Sequence, residues 1–412
     1  MVSWAQFITV PAVFSIGWTV VKMRRGGHGD AVFREVTAGF CAWAAAYNPP
    51  VFLFVMRCVM RPLWKSVDLA ALRHNVRVLA AQAGAAQVVA VVKADAYGHG
   101  VAALLPVLRE MPCFAVACME EALALRALGL TQPVLLLEGV FAADELDVCA
   151  AEGFEPWLHD GRQLAWYRHA AAKPACWLKV DSGMHRLGFA PSEVPQAVTA
   201  LQGLPCRGLA THFACADEAD LSHAEAQWRA FDALPLPPGW LRTAANSAAL
   251  FALPQARADW VRPGLALYGM SPFADRTAAD LGLRPVLGLH SAVLATHFLA
   301  RGEGAGYGCG FVAAEDGYLA TIALGYGDGF PRAIASGAVR VRIGAATFPL
   351  VGRVAMDMAL VWLGSEAVPV GSPVLVFGDG HPVEVVATQA GTIPYTLTTM
   401  LSPRVHTVVT NG

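Results

Sequence analysis

The sequence predicts an α/β protein: a (β/α)8 barrel of the TIM type followed by a mostly β C-terminal domain. Three observations carry this. Val88-Val89-Ala90-Val91-Val92 is an unbroken apolar run, the pattern of a parallel strand buried on both faces, and Lys93 ends it. Further short apolar runs follow at Cys113–Ala117, Val134–Leu137, Glu155–Leu158, Ala175–Val180, Cys206–Thr211, Leu241–Ala245 and Trp260–Tyr268. Most are separated by helical patterns such as Glu120–Leu128, Ala143–Ala151 and Ala224–Leu234, and such alternation over about 220 residues favours a barrel. An open doubly wound sheet is the weaker alternative, because no Gly-x-Gly-x-x-Gly turn follows the first strand. After about Leu289 the character changes. His290–Leu299, Tyr318–Leu324, Val339–Val354, Ala359–Leu363 and Pro373–Phe377 are β-like and divided by Gly, Pro and Asp turns. Only short helical patterns remain, near Val383–Ala390 and Tyr395–Leu401.

A chain of 412 residues has length for two domains, and 55% hydrophobic with 15% charged content is globular, not disordered. The formal net charge of −2 gives no reason to expect nucleic acid or an anionic membrane as a partner. The 9 cysteines include no Cys-x-x-Cys pair, which argues against a zinc site and suits free thiols in a reducing cytoplasm. No metal is expected.

The domain expectation is an extension over residues 1–59, a barrel over 60–288 and a β domain over 289–412. In the extension, Trp4–Val21 is uncharged, with Lys22, Arg24 and Arg25 after it, and Val36–Met56 is uncharged but interrupted by Asn48-Pro49-Pro50. Each run approaches the ~20 residues a membrane span needs, so a hairpin anchor is one reading. The preferred reading is a start at Met60, because Met60-Arg61-Pro62-Leu63-Trp64 is a natural beginning for the barrel domain. Membrane association is expected only if residues 1–59 are translated.

From Met60 onward, Asp68 is placed to cap a helix whose apolar face is Leu69, Leu72, Val76, Leu79 and Ala80, and Gly84 ends it. A helix through Leu104, Leu105 and Leu108 follows Gly100, with Pro106 tolerable only near its first turn. Gly306-Tyr307-Gly308-Cys309-Gly310-Phe311 and Gly325-Tyr326-Gly327-Asp328-Gly329-Phe330 echo each other, two glycine loops that present tyrosines.

Ligands sit at the carboxyl ends of the strands in parallel α/β proteins. Desolvation at that rim lowers the pKa of Lys93 and favours the neutral, nucleophilic amine. Such an amine suits Schiff-base chemistry with a carbonyl, including the aldehyde of pyridoxal phosphate. The run alone leaves open a lysine that snorkels into water. Lys93-Ala94-Asp95-Ala96-Tyr97-Gly98-His99-Gly100, however, resembles the cofactor-lysine motif of alanine racemases. The likeness continues to about Thr410. Lys179 with Arg186, Arg262 with Gly264, and Tyr307 with Tyr326 occur in that family's order and spacing.

The resemblance implies that Lys93 holds pyridoxal 5′-phosphate and exchanges the substrate α-proton on one face, with Tyr307 on the other. Tyr97, Ser247, Gly264, Leu265 and Tyr395 would take the phosphate, Asn246 lies beside Ser247, and His212 stands beside the ring. A helix start and the loops after the last barrel strands are apt for phosphate, although an ordinary N-cap would leave Ser247 in the same place. Arg262 would face the pyridine nitrogen. A guanidinium keeps its proton, so that nitrogen stays unprotonated and simple reprotonation is favoured over transamination. Arg186 would donate to the phenolic oxygen of the cofactor ring, and with Met356 and Tyr326 it would contact the substrate. Asp181 and Arg186 lie among apolar residues; a surface Asp–Arg pair is the plain alternative. In the family the lysine matching Lys179 is often carbamylated, a negative group that holds the arginine.

The resemblance thus implies an isomerase: a homodimeric, cytoplasmic alanine racemase that interconverts L- and D-alanine and supplies D-alanine for peptidoglycan. In the family, residues of the second domain reach the partner's cofactor, which would put Tyr307, Tyr326 and Met356 to work in trans. A broad-specificity or serine racemase and a non-catalytic pyridoxal-phosphate carrier are the alternatives. One departure concerns Thr243, where some members have a histidine that supports the arginine.

Overall fold

The computed structural model describes residues 61–411, so the expectations for residues 1–59 lie outside the described part. The apolar run from Gln87 to Val91 appears as two short strands, β2 (Gln87–Val88) and β3 (Ala90–Val91), separated by Val89. Then come β4 (Phe114–Val116), β5 (Val134–Leu136), β6 (Phe154–Leu158), β7 (Cys176–Lys179), β8 (Cys206–Ala210), β9 (Leu241–Thr243) and β10 (Trp260–Val261). Their order is β2-β10-β9-β8-β7-β6-β5-β4-β3, with every pairing parallel. Because β2 and β3 belong to one run, the ring closes there. Val89 N–H donates to Val261 O at 2.9 Å and Ala90 N–H to Cys113 O at 3.0 Å, one to each neighbour. Every residue from Val88 to Val92 is buried, as expected of a strand packed on both faces.

All the expected strand runs are therefore in place, with one correction. Trp260–Tyr268 is a strand only over Trp260–Val261; Leu265–Tyr268 is a 3₁₀ turn. Pro263-Gly264 explains the break, since proline has no N–H to give a neighbouring strand.

The first helix, Leu69–Ala83, is capped as expected: Asp68 Oδ1 accepts from Ala70 N at 2.8 Å and Ala71 N at 3.0 Å. Its buried face is offset from the predicted one. Ala80 is exposed and Asn75 is fully buried instead. Asn75 Nδ2 donates to Leu267 O and Arg284 O, and its Oδ1 accepts from Arg284 N. A buried amide with three partners costs little, so an apolar-periodicity argument overlooks it. Pro106 lies at the sixth position of the helix Val101–Leu108, not in the first turn; the helix ends two residues later, which limits the bonds lost.

The second sheet is built around β11 (Leu287–Leu299), with β14 (Gly317–Ile322), β15 (Arg340–Ile343), β16 (Ala346–Val351), β17 (Ala359–Gly364) and β18 (Pro373–Phe377), while β12 (Gly304–Ala305) and β13 (Phe311–Val312) form a separate antiparallel pair. The expected Val339–Val354 run is a hairpin, β15 and β16, turning at Gly344. Both ends of the described chain join this sheet. Strand β1 (Trp64–Asp68) pairs antiparallel with β11 and parallel with β19 (His406–Thr410). Among the described residues no helix is long and apolar enough to cross a membrane.

Candidate active site

Lys93 leaves the barrel at the end of β3, half-buried, and its Nζ meets no protein hydrogen-bond partner among the described residues. Burial lowers its pKa most; the Arg186 guanidinium lowers it further, while Glu138 and Glu121 act the other way. The next four residues, Ala94, Asp95, Ala96 and Tyr97, have φ of 51°, 49°, 57° and 55°. A left-handed conformation costs roughly 1–2 kcal/mol per L-residue, so such a run persists only where its surroundings hold it. Glu121 does part of this: its two carboxylate oxygens accept from Ala94 N at 2.7 Å and Ala117 N at 2.8 Å. Asp95 Oδ1 closes the turn by accepting from Val101 N at 2.8 Å. Glu121 is a site residue that sequence reasoning missed, because it sits in an ordinary acidic first helical turn.

The turn delivers the buried Tyr97 side chain between two other tyrosines. Its ring lies 5.2 Å from that of Tyr268 and 5.5 Å from that of Tyr395. Its hydroxyl abuts Gly264, where a Cβ would fall 2.2 Å from Oη. That hydroxyl has no protein hydrogen-bond partner among the described residues, whereas Tyr268 Oη donates to Val91 O at 2.8 Å. Burial pushes the Tyr97 phenol up, and burial with Asp217 pushes Tyr395 up to about 12, so both keep their protons as donors. Ser247 is buried, and its Oγ accepts from Ala266 N at 3.2 Å. The N-cap of its short helix is Asn246, whose Oδ1 accepts from Ala249 N at 2.9 Å. Ser247 Oγ therefore accepts from Ala266 N instead of capping the helix, and its proton can be donated to a ligand. Tyr97 beside Tyr395 and Gly264, with Ser247 held to Ala266 next to Leu265, supply neutral donors whose chemistry suits a phosphate.

The other end is cationic. Arg262, 4% exposed, sits at the end of β10. Its Nη2 donates to Thr211 O at 2.7 Å and Ala244 O at 3.1 Å, its Nη1 donates to the Thr243 hydroxyl, and its guanidinium lies 4.9 Å from the Trp157 ring centroid. Burial lowers it to about 9, which still leaves a cation at neutral pH. Thr243 therefore supplies the support that the sequence left open. Trp157, on the fully buried strand β6, is a second missed residue, legible only as core.

His212 Nδ1 stands 3.5 Å from Arg262 Nη2. Burial and the charges of Arg262, Lys179, Arg186 and Lys93 hold its pKa well below the usual imidazole value, so it is neutral. Lys179, buried at the end of β7, donates to Val180 O at 2.9 Å, and burial with the Arg262 charge lowers it to about 7. Four basic side chains, Lys93, Lys179, Arg186 and Arg262, thus act on His212 at these strand ends. Asp181 does not pair with Arg186. Its Oδ1 accepts from Gly183, Met184 and His185 N–H groups, each at 3.0 Å, and its Oδ2 lies 3.3 Å from His185 Nδ1. Arg186 is exposed in the single chain.

The two tyrosine loops echo each other in sequence but not in backbone: Tyr326–Asp328 is a 3₁₀ turn, whereas in Tyr307–Cys309 both Gly308 (φ 65°) and Cys309 (φ 46°) are left-handed. Tyr307, Tyr326 and Met356 are 69%, 40% and 53% exposed. Among the described residues none of them hydrogen-bonds to or stacks on Lys93, Arg186 or Arg262. The single chain thus assembles Lys93, Tyr97, Lys179, His212, Ser247, Arg262, Gly264 and Tyr395, and leaves the second-domain group facing outward.

Two family models match, the alanine racemase N-terminal domain over residues 67–272 and its C-terminal domain over 286–409. An alanine racemase of Dichelobacter nodosus is 51% identical over 357 residues, covering 86% of this chain and 100% of that protein. One from Hahella chejuensis is 41% identical, covering 85% and 99%. Among solved structures, the alanine racemase of Acinetobacter baumannii superposes with a TM-score of 0.81 at 39% identity, covering 85% of this chain and 100% of that one. That of Bartonella henselae, with covalently bound pyridoxal phosphate, gives 0.78 at 29% identity over 85% and 99%. With a strand-end lysine, a buried guanidinium and both domain models in register on one chain, this protein belongs to the alanine racemase family.

Proposed function

We propose that the chain is a pyridoxal-phosphate-dependent alanine racemase, active as a homodimer in the cytoplasm, whose D-alanine serves peptidoglycan. When bound, the cofactor supplies an aldehyde that links to an amine and a ring that draws electrons from the substrate α-carbon. The observation that carries the reading is the pair Lys93 and Arg262: a desolvated amine at one strand end, and at another a buried guanidinium that makes no ion pair with a carboxylate among the described residues. Arg262 donates toward the ring nitrogen and yields no proton, which favours return of a proton to the α-carbon over its loss elsewhere. Tyr97, Tyr395, Ser247, and the Gly264 and Leu265 amides hold the phosphate, and Asn246 and His212 line the pocket.

Lys93 Nζ carries the α-proton on one face of the substrate. Tyr307 Oη carries it on the other, reaching in from the second subunit with Tyr326 and the Met356 N–H, which take the substrate carboxylate together with Arg186. The outward exposure of these three residues supports that arrangement. Lys179 takes up carbon dioxide: its neutral amine attacks, a proton leaves, and the resulting carbamate pairs with Arg186. An amine lowered to about 7 supports this, since the uncharged form is then plentiful at neutral pH.

Purified protein should racemise L-alanine in a chiral assay and show the visible absorbance of a lysine-linked cofactor, and Lys93→Ala should abolish both. A Lys93→Ala protein that retains the absorbance and the activity would overturn the reading. Serine and a panel of other amino acids in the same assay test breadth of specificity.

A further inference from the structure

Lys65 is a buried cation that the proposed chemistry does not use. It lies on β1, in register with Leu289 on β11 and Thr407 on β19, and so belongs to the second sheet, not the barrel. Only 9% of it is exposed. A buried ammonium is costly unless it is hydrogen-bonded. Here Nζ donates to Gly98 O at 2.6 Å, and the charge acting on it is that of Asp95. Both belong to the left-handed turn that begins at Lys93.

That turn is strained and needs holding. Glu121 grips its start and the Asp95 carboxylate bonds ahead to Val101, while Lys65 is the bond to its far end. Gly98 is also wedged against the C-terminal helix Pro394–Thr399: a Cβ there would fall 2.0 Å from Thr398 O. Movement of Gly98 would shift Tyr97 against Tyr395, whose rings are 5.5 Å apart.

We infer that Lys65 is a positioning residue for cofactor binding: from the second sheet, its ammonium clamps Gly98 and so fixes the strained turn that presents Lys93 and Tyr97. This rests on the pyridoxal-phosphate reading above. Methionine conserves much of the volume of lysine, so Lys65→Met removes the clamp with little change in packing. Lys65→Gln keeps a donor without the charge.

The test compares full-length wild type, Lys65→Met and Lys65→Gln in three measurements: thermal unfolding of the apoprotein, the dissociation constant for pyridoxal phosphate, and kcat for alanine. The Met variant is expected to unfold near wild type, to bind the cofactor about tenfold more weakly or worse, the scale of one charge-assisted hydrogen bond, and to lose kcat. The Gln variant should fall between. If the Met variant does not fold, the Gln variant carries the same comparison. A Met variant with wild-type dissociation constant and kcat overturns the inference, and so does one that loses only unfolding temperature. Wild type that neither binds the cofactor nor racemises alanine would instead refute the functional reading.

Discussion

The Thr243 hydroxyl donates to Trp260 O at 3.0 Å and, through its lone pair, accepts from Arg262 Nη1. The threonine thereby ties the buried guanidinium to strand β10, from which it springs. Thr243→Val keeps the shape and removes the acceptor, leaving a charged donor short of one partner. Such a loss costs about 1–3 kcal/mol. Cofactor affinity should fall by a corresponding factor, and more pyridoxamine phosphate should form per racemisation as Arg262 loosens. Thr243→Ser should restore both. Unchanged affinity and product ratio in the Val variant would mean that the backbone carbonyls of Thr211 and Ala244 suffice.

Gly264 is defined by Tyr97. Its φ is −96°, open to any residue, but an added methyl would press on the Tyr97 hydroxyl at 2.2 Å. Overpacking of this kind costs about 1–3 kcal/mol, and Tyr97 has little room to retreat between Tyr268 and Tyr395. Gly264→Ala should therefore weaken pyridoxal phosphate more than pyridoxal, which lacks the phosphate. Equal weakening of the two in an equilibrium titration would place the damage elsewhere.

Lys179 gives a pH signature. Its folded-state pKa is lowered from 10.5 to about 7. Between those values the unfolded chain binds a proton that the folded chain does not, so stability of the unmodified protein rises with pH across this window. Below about 7 both states are protonated and the slope vanishes. In carbon-dioxide-free buffer, denaturant unfolding of apoprotein should show this rise, and Lys179→Met should flatten it. Bicarbonate should then raise turnover of the wild-type enzyme and add the mass of one carbon dioxide. Parallel pH profiles for wild type and Lys179→Met would contradict the assignment of the shift.

Much of the barrel was legible because a strand buried on both faces has no polar residue to interrupt it, as at Val88–Val92 and Val134–Leu136. The strand-end charges were legible for the same reason, since Lys93, Lys179 and Arg262 break apolar runs. What escaped depends on contacts distant in sequence. Strand β1 reads as the approach to the first helix, yet its partners lie at Leu287–His290 and His406–Thr410. The left-handed turn carries no glycine before Gly98, so nothing local announces it. Asp181 beside Arg186 looks like an ion pair in sequence, but three N–H groups of its own turn claim the carboxylate.

The proposed racemase depends on Lys93 and Tyr307 acting on one substrate from two subunits. Lys93→Ala and Tyr307→Phe homodimers should each be inactive as racemases. Unfolded together and refolded as a mixture, half the dimers would be mixed, and each of these would hold one site with both groups intact. Racemase activity should return to about a quarter of wild type. Mixtures that stay as inactive as their parents, while size analysis shows mixed dimers present, would rule out a site shared in this way.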